Sequence, residues 1–236
     1  MMKKRSLLFM LTIVLISGCI ASGTHAASEE LAKIETATRV FREIIDIPES
    51  TIPKALMERA QALAVIPGVI KAGLIAGGRH GTGIMVVRTE DGIWSSPAFI
   101  SLTGLSLGWQ AGVKSTDLVL VFTDRSSVDS LLERKIDLGA QASVAAGPVG
   151  RSIMAGTSID FKSPVYAYSR SEGIFAGVSL GGAVIEVDIE ANETFYDSPG
   201  ITPRRIFSGE LAGAPPSAIR FACLVAKHND TTQQCA

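Results

Sequence analysis

The chain has 236 residues, 47% of them apolar and 19% charged, with a formal net charge of −1. That composition fits a folded domain with a sizeable core and excludes an intrinsically disordered chain. A near-neutral balance, with no interleaving of basic and aromatic residues, also argues against a nucleic-acid partner.

The chain opens on MMKKRSLLFMLTIVLISGC, with basic Lys3, Lys4 and Arg5 ahead of an apolar run from Leu7 to Ile16. The run is too short to cross a bilayer and reads as a secretory signal. Two cleavage sites compete. LISGC resembles a bacterial lipobox, which would make Cys19 the lipidated first residue; Ile20 follows it, and the lack of aspartate there resembles lipoproteins sorted to the outer membrane. THA, ending at Ala26, suits ordinary cleavage and a mature start at Ala27. Residues 1–26 are thus leader and spacer, and the expected location is the periplasm, with a lipid anchor in the outer membrane. Export places Cys223 and Cys235 in an oxidising compartment as candidates for a disulfide.

Leu31, Ile34, Val40, Phe41, Ile44 and Ile45 follow helical spacing, with Ser28 as a cap. Pro48 ends this helix. A second is expected from Pro53 to about Val65. VIPGVIKAGLIAGGRHGTG then reads as a glycine-rich connector. From Thr82 the period is two: TGIMVVR is a strand, the segment from about Pro97 to Val113 a long strand, and KSTD a turn into LVLVF. DRSSVDSLLERK predicts a helix capped by Ser126 or Ser127. LGAQASVAAG predicts a strand, and VYAYSR with GIFAGVSLGGAVIEVD a hairpin. Pro203, and then Pro215 and Pro216, open short helices before a polar tail. Helices lead and strands follow, so the fold class is α+β: N-terminal helices packed on a largely antiparallel, glycine-rich β-sheet or barrel.

GLSLG (Gly104 to Gly108) and GVSLG (Gly177 to Gly181) match the G-x-S-x-G elbow of serine hydrolases. An elbow needs a helix directly after the serine, whereas both stretches continue a strand's alternation. His80 is the one histidine outside the leader and the polar tail, and it precedes both serines. An esterase using Ser106 or Ser179 is therefore a remote alternative, and no catalytic residue is assigned. The small-residue faces imply a close approach, by protein packing or by a lipid tail.

GGRHGTG lacks the Lys-Ser/Thr of a phosphate-binding loop. Glu186 and Asp188 read as a solvated strand end, and Asp188, Glu190 and Asn192 lack the further ligands of a calcium loop. No metal or cofactor is expected. Charge is uneven, however. The first helix has Lys33, Arg39 and Arg42 against Glu29, Glu30, Glu35, Glu43 and Asp46. Between Lys54 and Arg88, by contrast, five basic residues face only Glu58. Lys54, Arg59, Lys71 and Arg79 are the candidates for acidic lipid headgroups.

IPGVIKAGLIAGGRHGTGIMVVR, DGIWSSPAFISLTGLSLGWQAG, LGAQASVAAGPVGR and YSRSEGIFAGVSLGGAVIEVD, in that order, closely resemble the SYLF domain, also known as a yeast-type actin-binding domain. The likeness runs from about Leu31 to Phe207, which places a SYLF-like domain over 28–208 and leaves 209–236 as a C-terminal helix and polar tail. The resemblance implies a non-enzymatic lipid-binding module. In eukaryotic relatives the domain is associated with phosphoinositides, membrane remodelling and actin, and with membrane contact through a basic amphipathic helix. The helix here is net acidic and the chain bears an export signal. The expectation is therefore a phospholipid-binding module of the bacterial envelope, with an envelope scaffold that binds a protein partner as the alternative.

Overall fold

The computed structural model describes residues 27–46, 52–73, 76–107, 112–148, 161–171, 174–177, 180–209, 211 and 213–229. The run Ala62 to Ile66 shows how the fold is built. Ala62, Ala64 and Ile66 are buried on one side of a strand, and Leu63 and Val65 on the other. A strand covered on both faces carries an unbroken apolar run. This strand, β1 (Ala62–Gly73), lies between β2 (Ala76–Val87) and β4 (Gly112–Phe122) near the middle of the sheet.

The other strands are β3 (Ala98–Leu107), β5 (Lys135–Leu138), β6 (Val144–Ala146), β7 (Val165–Ser171), β8 (Ile174–Gly177) and β9 (Ala183–Val187). The described order is β5-β9-β3-β2-β1-β4-β7-β6, with β8 also on β7. Pairing is antiparallel except between β6 and β7. β5 and β6 are the outer strands of that path, yet they are close neighbours in the chain. Leu138, the last residue of β5, bridges Ala142, just before β6 begins. The sheet therefore curls until its two ends nearly meet, and the result is close to a barrel.

Six helices complete the described structure: α1 (27–45), α2 (Lys54–Glu58), α3 (Arg125–Leu132), α4 (Ile189–Tyr196), α5 (Pro203–Phe207) and α6 (Pro216–His228). The inner core combines Ile100, Leu102, Leu118, Leu120, Ile136 and Ile185 with Val128 and Leu131 of α3 and Ile206 of α5. α3 meets β4, β5, β9 and α5, so α3 and α5 plug the barrel end where β1 begins. Outside, α1, α2 and α6 cover Leu63, Val65, Ile84, Val86, Val119 and Val121. Phe41 of α1 meets Phe221 of α6 edge-on, with ring centroids 6.1 Å apart. The C-terminal helix is thus part of the same core as the first one. The fold is α+β, with helices on a largely antiparallel, glycine-rich sheet.

Several local expectations are corrected. The connector from Val65 to Gly83 is instead most of β1 and β2, the two longest strands among the described residues (12 residues each). Pro67 and Gly68 sit at a register shift between Ile66 and Val69, where a strand tolerates proline. Gly68 has φ +58°, and its N–H donates to Asp117 Oδ1 at 2.9 Å. The second helix stops at Glu58, because the apolar residues that follow are claimed by both faces of the sheet. KSTD lies inside β4 rather than in a turn. β3 ends at Leu107, so the expected strand from Pro97 to Val113 is two strands, paired with different neighbours. LGAQASVAAG divides into β5, a turn opened by Gly139 at φ +106°, and β6. Asp124, not Ser126 or Ser127, is the N-cap of α3. Ser28 lies within α1 rather than ahead of it as a cap.

Candidate functional site

β1 and β2 meet their partners so that Lys71 stands opposite Arg79 on one side and Lys114 on the other. The next position in this row is Gly104 of β3, followed by Ala183 of β9. Alternation along each strand puts all three basic residues on the inner face, at the end of the barrel away from α3 and α5. With strands about 4.8 Å apart, the three cations span roughly 10 Å. Like charges directly opposite one another destabilise a sheet. Among the described residues, none of the three is joined to a carboxylate by an ion pair.

Arg79 is the most constrained of them. One Nη donates to the Leu105 carbonyl at 3.2 Å, but its Nε is buried without a hydrogen-bond partner. Burial pulls its guanidinium below its ordinary value. Lys71 is half-buried and Lys114 exposed. An anion at this mouth would relieve the repulsion between the three cations.

The structure divides the four headgroup candidates into two pairs. Lys71 and Arg79 are adjacent. Lys54 opens α2 and Arg59 is its C-cap, both before β1 begins, and they are separated from Lys71 by roughly 30 Å of strand from Ala62 onward. Arg59 also stacks over Phe161, with Cζ 5.7 Å from the ring centroid. Sequence reasoning misses Lys114 because it lies far beyond Lys71 along the chain; only the β1–β4 register brings it alongside.

At Ser106 the serine-elbow geometry is answered by the strands. β3 continues through Ser106 to Leu107, and the next described element, β4, begins at Gly112. The glycine before Ser106 has a packing reason. A Cβ on Gly104 would lie 2.8 Å from Ala183 Cα, so glycine lets β9 come close. A Cβ on Gly83 would fall 2.2 Å from the Val65 carbonyl oxygen, and one on Gly147 would enter the Tyr168 ring. Protein therefore fills the space beside these glycines. Asp188 is a helix cap, accepting from the Ala191 N–H at 3.1 Å. Asn192 is fully buried; its amide accepts from the Phe99 N–H at 2.9 Å and donates to the Phe99 carbonyl at 3.1 Å. No cluster of metal-ligating side chains occurs among the described residues. Cys223 is disulfide-bonded. Cys19, Cys235, Ser179 and the Ser106 side chain lie outside the described residues.

A second groove, of about 380 Å³, runs between α1 and α6 beside Arg39, Arg42, Ser217 and Arg220. Within it Arg39 lies 3.6 Å from Glu43, which also pairs with Arg170.

Comparison with known proteins finds a matching family and relatives. Residues 103–227 match the family model Ysc84, described as "Las17-binding protein actin regulator". The chain is similar to the LAS seventeen-binding protein 3 of Saccharomyces cerevisiae, 37% identical over 203 residues (85% of this chain, 42% of the relative). Protein YSC84 of the same yeast is 39% identical over 202 residues (84% and 42%). The human SH3 domain-containing YSC84-like protein 1 is 34% identical over 171 residues (70% and 50%). The chain spans about half the length of these relatives. On the family match and this sustained identity, the chain belongs to the Ysc84 (SYLF) domain family.

Proposed function

We propose that this chain is a non-enzymatic phospholipid-binding module of the bacterial cell envelope, exported, tethered through Cys19 to the outer membrane, and binding anionic lipid at the open mouth of its barrel. The observation that carries this reading is the row Lys114–Lys71–Arg79, three cations held side by side with the buried Nε of Arg79 unsatisfied. A fold keeps such a row at a cost in stability, which a bound phosphate offsets. Tethering would raise the local lipid concentration, so individual contacts can be weak.

The form starting at Ala27 keeps every described element and suits the test. It should sediment with vesicles containing phosphatidylglycerol and far less with phosphatidylcholine alone. Each cation near an anionic surface contributes about 1 kcal/mol. Replacing Lys71, Arg79 and Lys114 by Gln should thus weaken binding on the order of 100-fold. Absence of sedimentation with any vesicle sinks the proposal. Mass analysis of the mature, non-reduced protein checks the lipid on Cys19 and the proposed bridge from Cys223 to Cys235.

The second reading is an envelope scaffold that binds a protein partner. It is favoured by the relatives' names, which record binding to Las17. A partner that co-purifies and still binds the triple Gln variant would support it.

A further inference from the structure

Four strands run well past the core they belong to. On β1, β3 and β4 the inner core ends at Val69, Leu102 and Leu118, whereas the strands continue to Gly73, Leu107 and Gly112, and β2 begins at Ala76 beside them. At about 3.3 Å per residue, the overhang is roughly 13–20 Å. On the outer face the helix-covered core stops earlier still, at Val65, Ile84 and Val119. The overhang is glycine-rich, and its one acidic residue, Asp117, lies at its base beside Leu118, where it accepts from the Gly68 N–H at 2.9 Å; the segments beyond it, 69–73, 76–81, 103–107 and 112–116, contain none. Glycine weakens strands, and a row of like charges weakens them further. Among the described residues, neither core cluster includes a side chain of β1, β3 or β4 beyond Val69, Leu102 and Leu118.

The overhang also carries the two most exposed large apolar side chains among the described residues. Leu105 is 73% exposed and Ile70 51%, against 42% for Ile219 and 39% for Leu31 elsewhere. Leu105 pairs with Gly78, one register step from the Arg79–Gly104 pair toward the strand ends; Ile70 is one step back. Cations therefore stand at one level, with an apolar side chain just beyond them.

We propose that this barrel end docks end-on into a bilayer surface, with Lys71, Arg79 and Lys114 at the level of the lipid phosphates and Leu105 entering the acyl boundary. The inference rests on the phospholipid reading above and adds the orientation and depth. The dimensions agree. From Lys71 to the end of β1 is about 7 Å of strand. The headgroup layer on one side of the hydrocarbon core is about 5–8 Å thick. Phosphates at the cation row thus leave enough strand beyond it to cross that layer. The lack of acidic residues in these segments fits an anionic lipid surface.

Leu105→Cys, made in the form starting at Ala27 and labelled without reduction with an environment-sensitive fluorophore, tests the depth. The unmutated protein treated identically gives the background, and Asp91→Cys, exposed beyond the opposite end of β2, gives a site away from the membrane. On phosphatidylglycerol vesicles the Leu105 probe should shift to the blue. Lipids carrying a nitroxide high on the acyl chain should quench it more than lipids carrying it deep, and the Asp91 probe should respond to neither. Leu105→Asp, an exposed change that leaves the core intact, should weaken vesicle binding about 10- to 100-fold. Protein that sediments while the Leu105 probe stays unshifted and unquenched overturns the docking mode and leaves phospholipid binding standing. Protein that does not sediment removes both.

Discussion

Glu30 is a carboxylate placed where a carboxylate is costly. The residue is 7% exposed, one oxygen accepts from Lys33 Nζ at 3.1 Å, and the other has no hydrogen-bond partner. Burial raises its pKa above the ordinary 4.5; Lys33 opposes that shift, and Asp188 and Glu29 add to it. The folded protein therefore holds this proton more firmly than the unfolded chain does. The resulting stability is fully present below pH 4.5 and is lost as pH rises through the folded value. Glu30→Gln keeps the size and removes the ionisation. It should raise the melting temperature at pH 7 relative to the parent and flatten the decline with pH just above the ordinary carboxylate value. Thermal unfolding of both proteins from about pH 4 to about pH 8 brackets that window. Parallel curves would show that Glu30 does not titrate in that environment.

Among the elements, β1 and β2 show why part of the fold is hidden in the sequence. Their joint segment holds Pro67 and a run of glycines from Gly68 to Gly83, residues that ordinarily punctuate loops. The start of β1 is an apolar run that a buried helix shares. The bulge at Pro67–Gly68 and the crossing over Gly83 are tertiary facts with no local signature. Helices opened by Pro203 and Pro216 are legible because proline fits a first turn. At the candidate site, Lys71 and Arg79 are visible as a local charge excess, but so are Lys54 and Arg59; only strand register separates the pairs and adds Lys114. The glycines themselves are testable. Gly83→Ala would drive a methyl into the backbone of β1, whereas a Cβ at Gly78 meets nothing within 4 Å. Gly83→Ala should cost at least about 3 kcal/mol, beyond ordinary overpacking because backbone must move. Gly78→Ala should be neutral or stabilise by about 0.5–1 kcal/mol through the unfolded chain. Urea midpoints compare the two, and equal effects would mean that β1 does not cross β2 so closely.

Across the whole molecule, a net charge of −1 conceals a strong asymmetry. Cations gather at the barrel mouth, while α1, on the outer face, is net acidic. At the opposite end arginines stand among carboxylates: Arg125 and Arg204 line a hollow with Glu90 and Asp91, and Arg125 lies 3.6 Å from Asp129. An anionic surface should therefore orient the protein mouth-first. Screening provides the measurement. The Debye length falls from about 10 Å at 0.1 M salt to about 3 Å at 1 M. Charges a few ångströms from lipid phosphates dominate the salt dependence, and charges roughly 30 Å away along β1 contribute little to it. Binding to phosphatidylglycerol vesicles should fall steeply between about 0.05 and about 0.5 M salt for the parent protein. The Lys71→Gln, Arg79→Gln, Lys114→Gln variant should lose most of that slope, because the residual binding is apolar. The Lys54→Gln, Arg59→Gln variant should keep it, although it removes two charges from the same basic stretch of sequence. If the second variant loses the slope and the first retains it, the membrane-facing surface is the α2 end, and the mouth of the barrel has another use.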